Sequence, residues 1–332
     1  MTFVGPLGLT IEDDALQADL VSGLAEVEQI LHNATVDDDD LIAQAASHLI
    51  EAGGKRFRPL LTLLCAQFGD PAAVGVVPVA AVMELTHLAS LYHDDVMDSA
   101  EQRRGAPSAN VEWGNKVAVL IGDLLFSRAS ALMAGLGDNV IRIQSETFAR
   151  LVSGQIRETV GPRATENRVD HHRSVVRDKT GSLIATCCRL GSLLAGADEQ
   201  TVARLAVFGE HIGVAFQVGD DILDIVSSSE QSGKTPGTDL REGVPTLPVL
   251  YALESSDPAD ERLRSLVSGP LDDDELLAEA LTLLRAHPAL DRVRADLANI
   301  VEQARKELVD LPECPAREAL SVLCDAAAWR IA

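Results

Sequence analysis

The chain has 332 residues, and 51 Asp+Glu against 28 Lys+Arg leave a formal charge of −23. That balance argues against nucleic acid as the main partner, because phosphate backbones are held by dominant basic patches. A hydrophobic content of 46% equally excludes a disordered polyelectrolyte. Aromatics are only 3%, so a core must be built from Ala, Leu, Val and Ile, which suits close-packed helices better than a β-sandwich. Cysteines at 65, 187, 188, 314 and 324 form no CxxC pair, which points to a reduced compartment without structural zinc. Residues 1–10 show no basic segment leading into an apolar run, and no uninterrupted apolar stretch nears the roughly 20 residues of a membrane span. The expectation is a cytoplasmic protein with a loose N-terminal segment over 1–10.

In chain order, nearly every segment reads at the helical period. The acidic cluster Asp37 to Asp40 suits the start of a helix that stops at Gly53-Gly54. Arg58-Pro59 opens another, and a long apolar segment runs from Pro71 to Asp98. Residues 100–114 read as a loop. Helices are predicted over 115–135, 139–160, 167–195 and 200–227. A second loop holds Gly233, Pro236 and Gly237, and shorter helices fill 244–256, 272–286, 290–309 and 315–331. With no linker to split it, residues 1–332 read as a single all-α domain.

Two acidic clusters are embedded in apolar sequence: LYHDDVMD, with Asp94, Asp95 and Asp98, and VGDDILDI, with Asp220, Asp221 and Asp224. Helical residues four apart lie on one face, so Asp94 stands over Asp98 and Asp220 over Asp224. Mg²⁺ takes one or two carboxylates, keeps several waters and uses substrate phosphates for the rest. Any one such cluster in so acidic a chain reads equally well as a solvated helix face; two in apolar surroundings do not. Beside them lie cation groups: Lys55, Arg56 and Arg58 in GGKRFRP, Arg103-Arg104 after the first cluster, and Lys234 in SGKTPGTD after the second. Gly-rich backbone with cations at a helix start is a natural anion cradle. The chain has only five lysines, and Lys55, Lys179 and Lys234 fall in these motifs. Carboxylate ladders alternating with phosphate-sized cation groups are explained together by a diphosphate bridged through Mg²⁺.

The blocks GGKRFRP, LTHLASLYHDDVMD with RRG, DKTGSL, FQVGDDILD and GKTPGTDL occur in that order, and on them the chain resembles the trans-polyprenyl diphosphate synthases over roughly residues 37 to 330. The resemblance implies an all-helical isoprenoid-synthase bundle around a deep central cavity, a homodimer, and head-to-tail condensation of isopentenyl diphosphate onto an allylic diphosphate such as farnesyl or geranylgeranyl diphosphate. By position it implies that Asp94 and Asp98 hold two Mg²⁺ and Asp220 a third, with Asp95, Asp221 and Asp224 as further or water-mediated ligands. Arg103, Lys179 and Lys234 would hold the allylic diphosphate, and Lys55, Arg58, His87 and Arg104 the isopentenyl diphosphate. Thr180 and Gln217 would place oxygen dipoles near the allylic cation. His93, beside the ladder, reads as structural or as a residue standing just behind the metal ligands.

Ala89 and Ser90, one turn before Asp94, take the place where short-chain relatives carry a bulky aromatic. Two small residues there imply a hexa- to decaprenyl product of the kind that becomes a quinone side chain, such as that of menaquinone, with transient membrane contact on release. DLREG is followed by Val244 where many relatives have Lys, and Arg241 is the candidate to compensate. Alternatives are a short-chain geranylgeranyl-type synthase, a non-catalytic subunit of a heteromeric synthase, and a class I terpene cyclase. The cyclase would not need a second diphosphate pocket.

Overall fold

The structure is a computed structural model and describes residues 9–227 and 236–329. Among these residues the only strands are one two-residue antiparallel pair, β1 (Gln102–Arg103) with β2 (Ala106–Pro107), so the expected all-α class holds. The chain forms two compact units, each assembled from three stretches. One comprises residues up to 147, 184–206 and 310–322; the other comprises 148–183, 207–309 and 323 onward.

The first unit begins with α1 (Asp14–Asn33), which the periodicity argument above does not assign. Its signals are nonetheless local: the Asp13 carboxylate accepts from Leu16 N–H at 2.8 Å, and Leu16, Leu20, Val27 and Leu31 form a buried stripe. In α2 (Asp40–Glu51) the acidic cluster acts as expected, with Asp39 as N-cap accepting from Leu41 and Ile42 at 2.9 and 3.3 Å. Then follow α3 (Phe57–Ala66) and α4 (Val76–Met97). Every residue of α4 from Val79 to Thr86 is buried, because it packs against α1, α3 and α6. At its far end the buried Tyr92 hydroxyl donates to Ala45 O at 2.5 Å and so ties α4 to α2.

The expected loop over 100–114 holds more order than that. Arg104 and Gly105 link β1 to β2 with φ of 57° and 79°, the positive values a tight two-residue hairpin turn requires. Residues of α5 (Ala109–Trp113) follow, then α6 (Asn115–Ala134). By length and composition α6 could cross a membrane, although it holds no uninterrupted apolar run of that length. Asp123 and Arg128 interrupt it, and its buried residues, Ile121 and Leu125 among them, form one face that packs on α4.

Next come α7 (Asp138–Val160), α8 (Arg168–Val176), α9 (Ser182–Leu194) and α10 (Glu199–Val226). The predicted helix 167–195 is one continuous helical run in which Arg177–Gly181 winds as a π turn, with Ser182 N–H donating to Arg177 O. That insertion falls on DKTG, and such bulges are characteristic of functional positions. Beyond the undescribed residues lie α11 (Thr238–Glu242), α12 (Leu247–Leu253), a 3₁₀ turn at Pro258–Asp260, α13 (Glu261–Leu266), α14 (Asp274–Ala286), α15 (Pro288–Val309) and α16 (Pro315–Trp329). The predicted helix 244–256 is shorter than expected, and 258–266 is helical where nothing was assigned.

Within the second unit, Gly154 on α7 lets the π turn approach closely: a Cβ there would lie 2.7 Å from Lys179 N and 3.1 Å from Asp178 C. A Gly154→Ala substitution is expected to destabilise the protein by about 1–3 kcal/mol through overpacking against backbone. Urea denaturation checks this; a variant as stable as the parent would show that α7 and the turn have slack.

Candidate active site

In the first unit the site is built on α4. Asp94 is half-buried and Asp98 exposed, and Asp98, the C-cap, donates its N–H to Asp94 O at 2.8 Å. The ladder therefore stands at the exposed end of a buried helix. Asp95 does not belong to it. Rotated about 100° from Asp94, it is fully buried and accepts from both Nε and Nη2 of Arg103 at 2.6 Å, while its Oδ2 has no hydrogen-bond partner. Burial raises the Asp95 pKa, and Arg103 opposes that rise. Arg103 is thereby oriented rather than used up, since a guanidinium has five N–H donors.

The cations of GGKRFRP separate in the same way. Lys55 is exposed. Arg56, at φ 47°, is turned inward onto Glu28 and Glu84 and also donates to Ile50 O at 3.2 Å, so it is a structural tie. Arg58 is half-buried, with Nε unpartnered. Arg104 donates to Leu49 O at 2.8 Å and to Gly53 O, and lies 3.8 Å from Glu84. Its guanidinium passes over Gly54, where a Cβ would sit 2.8 Å from Cζ. His87 is held well below its ordinary pKa, first by burial and then by Arg58, Arg104, Arg103 and Arg56. Lys55 apart, the residues expected at one diphosphate pocket thus form one cationic neighbourhood in this unit.

Ala89 is fully buried and Ser90 half-buried, with Ser90 Oγ donating to His87 O at 2.7 Å. His93 Nε2 lies 3.0 Å from Val119 O, in a space that Gly122 leaves open.

In the second unit, α10 carries the other acidic cluster, and here too the middle aspartate is turned inward. Asp220 is exposed, whereas Asp221 is buried and accepts from Gln217 Nε2 at 3.0 Å. Gln217 Oε1 accepts in turn from Thr180 Oγ1 at 3.3 Å, giving a Thr180–Gln217–Asp221 chain from the π turn to the acidic cluster. Burial pushes the Asp221 pKa well up, the Gln217 hydrogen bond opposes it, and Asp239, Asp220 and Asp224 add to the rise. Asp224 accepts from the N–H groups of Thr238 and Asp239, both at 3.1 Å, and so caps α11. Lys179 is paired with Glu158 at 2.5 Å. Lys234 lies outside the described residues. Arg241, the candidate to compensate for Val244, pairs with Asp274 and donates to Asp272 O at 3.2 Å.

Sequence reasoning missed two residues. Glu84 is a buried carboxylate among the arginines, and its signal was a lone Glu in an apolar run, three residues before His87. His172 lies 3.9 Å from Asp221 Oδ2, and burial, then His171 and Arg173, drive its pKa down to about 4. Only tertiary packing marks it out.

Among the described residues no three His, Cys, Asp or Glu converge into a metal-holding group. The ladders, with the unpartnered buried Oδ2 of Asp221, fit divalent ions that bring water and substrate phosphate as most of their shell.

Neutral His87 in the fold gives a signed pH effect. An unfolded histidine takes up a proton below about pH 6.5, so the folded form binds fewer protons there, and stability is lost as pH falls through that value. His172 acts in the same direction. A His87→Gln variant is expected to lose less Tm than the parent between about pH 7.5 and about pH 5.5; equal losses would show that His87 is charged in the fold.

A family model described as polyprenyl synthetase matches residues 39–284. Over 319 residues the chain is 50% identical to a nonaprenyl diphosphate synthase of Mycobacterium tuberculosis, covering 96% of this chain and 95% of that protein. The crystal structure of a geranylgeranyl pyrophosphate synthase from Corynebacterium glutamicum, complexed with calcium and isoprenyl diphosphate, superposes with a TM-score of 0.88 at 43% identity, covering 97% and 99% of the two chains. A decaprenyl diphosphate synthase from Rhodobacter capsulatus gives 0.88 at 34% identity, covering 96% and 99%. An all-α fold of this kind with acidic motifs on two long helices defines an isoprenoid synthase, an enzyme that transfers prenyl groups. The chain belongs to the polyprenyl synthetase family, whose substrates are isopentenyl diphosphate and an allylic diphosphate.

Proposed function

We propose that the chain acts as one catalytic domain that adds isopentenyl diphosphate units head-to-tail to an allylic diphosphate and releases an all-trans product in the hexa- to decaprenyl range, of the kind that becomes a quinone side chain. The observation that carries this reading is the order of residues on α4: the Asp94–Asp98 ladder at its exposed end, His87 near the arginines that the start of α3 and the β1–β2 hairpin bring to it, and the small Ala89 and Ser90 one turn below the ladder.

In this reading Asp94 and Asp98 would hold two Mg²⁺ and Asp220 a third, with Asp221 and Asp224 as nearby or water-mediated ligands. Bound Mg²⁺ supplies Lewis-acid stabilisation of the leaving diphosphate. Arg103, oriented by Asp95, and Lys179 and Lys234 offer donors to the allylic diphosphate. Lys55, Arg58, Arg104 and neutral His87 bind the isopentenyl diphosphate. Thr180 and Gln217, fixed in their chain to Asp221, direct oxygen dipoles toward positive charge developing on the allylic carbon. The buried apolar side chains below the ladder keep water from that carbon.

The same reading includes a homodimer. It is supported by α6, whose Leu120 is 65% exposed and Val119 38% exposed on an otherwise apolar helix. A cytoplasmic location with transient membrane contact during release completes it. The geranylgeranyl relative favours a second reading, a shorter product, and the two differ in what the residues below the ladder admit.

Two measurements test the proposal. Purified protein with isopentenyl diphosphate, an allylic starter and Mg²⁺ is expected to yield prenyl products of about 30–50 carbons by chromatography and none in EDTA, because Mg²⁺ supplies the leaving-group stabilisation. No product with any starter would favour a non-catalytic subunit. An Ala89→Phe variant is expected to shorten the product, since a ring there blocks the path one turn below Asp94; an unchanged length would remove Ala89 from the floor.

A further inference from the structure

Glu84 has no role in the proposed chemistry, yet it lies inside the cation group. It is 2% exposed, its Oε1 lies 3.3 Å from Arg56 and 3.8 Å from Arg104, and its Oε2 is buried without a hydrogen-bond partner. Arg56 has a second anion in Glu28, whose side chain is 36% exposed at the edge of the group. Among the described residues, the other hydrogen-bond partners of Arg104 are the carbonyls of Leu49 and Gly53. Burial lowers the pKa of both Arg58 and Arg104, and in each case the charge of Glu84 is the largest opposing influence. Three guanidinium groups this close repel one another, and an uncompensated buried charge is costly. A carboxylate fixed on the rigid α4 lowers that cost before any diphosphate arrives, and afterwards it competes with the diphosphate for the same positive potential.

The geometry points to Glu84 as an internal counter-anion of the isopentenyl diphosphate pocket: it holds Arg56 and Arg104 in place between turnovers and weakens diphosphate binding by competing for the positive potential that these two share with Arg58. This rests on the assignment of that pocket given above. Glu84 is a positioning residue that acts through the arginines. A merely structural role would have the opposite signature, because disturbing the arginines without relieving any competition weakens binding.

The test is isothermal calorimetry of isopentenyl diphosphate in EDTA, which keeps the acidic ladders out of the measurement. Glu84→Gln, which keeps shape and removes charge, is expected to lower the Tm of the free protein and to bind about tenfold more tightly. Glu84→Asp, which keeps the charge, is expected to stay within about threefold of the parent. Glu28→Gln removes the outer partner of Arg56 and is expected to lower Tm without tightening binding. If the Glu84→Gln chain is unfolded alone, isopentenyl diphosphate is expected to restore its helical circular dichroism by mass action; failure to restore it overturns the proposal. Unchanged or weaker binding by folded Glu84→Gln also overturns it and leaves the pocket assignment standing. No binding by the parent overturns the pocket and the counter-anion together.

Discussion

The constraint on which the rest depends is that like charges must be held close together in a helical protein with a dense apolar core. A diphosphate enzyme needs carboxylates in pairs to gather cations and guanidinium groups in clusters to gather phosphate. Both arrangements are self-repelling, and repulsion grows as water is excluded. The protein meets this by giving its buried and half-buried charges fixed partners: Arg103 for Asp95, Glu84 for Arg56 and Arg104, and Gln217 for Asp221, while the more exposed Lys179 is paired with Glu158. Asp98 and Asp220 are exposed to solvent.

Helix geometry does this sorting. In each acidic cluster the adjacent aspartates diverge by about 100°, so the middle one is carried into the protein while the first and last are half-buried or exposed. Asp95 and Asp221 are equivalent in this respect, buried and raised in pKa by that burial. The outward residues can serve as ligands, while the inward ones orient the donors beside them. Asp224 adds a third use, bonding the backbone of Thr238 and Asp239 and so tying the start of α11 to the acidic helix.

Two departures from regular helix place the remaining groups. The π turn at Arg177–Gly181 carries Lys179 and Thr180 out of the register of α8 and α9, and Gly154 lets α7 lie against it. The turn between β1 and β2 puts Arg104 at positive φ, a conformation an arginine adopts at some cost, maintained by its bonds to Leu49 and Gly53. Strain and irregular winding therefore coincide with the cations assigned to diphosphate.

Much of this was legible in sequence. The all-α class followed from periodicity and a core without aromatics, and the ladders followed from spacing alone, because i and i+4 share a face in any helix. The family followed from ordered motifs that are individually short and jointly specific. Local chemistry also marks α1 through Asp13 and its apolar stripe, although period counting did not assign it. Other features depended on groups far apart in the chain. That Arg56 is a structural tie while Arg58 is not depends on Glu28 and Glu84 reaching it from other helices. The position of His172 beside Asp221 depends on packing between α8 and α10, and Arg241 pairs with Asp274, 33 residues away. Sequence by itself determined which residue types lie at which helical spacing, since that follows from local backbone geometry. Tertiary structure decided which of those charges are neutralised internally and which remain for substrate, since a charge's partner and its exposure are set by whatever the fold packs against it.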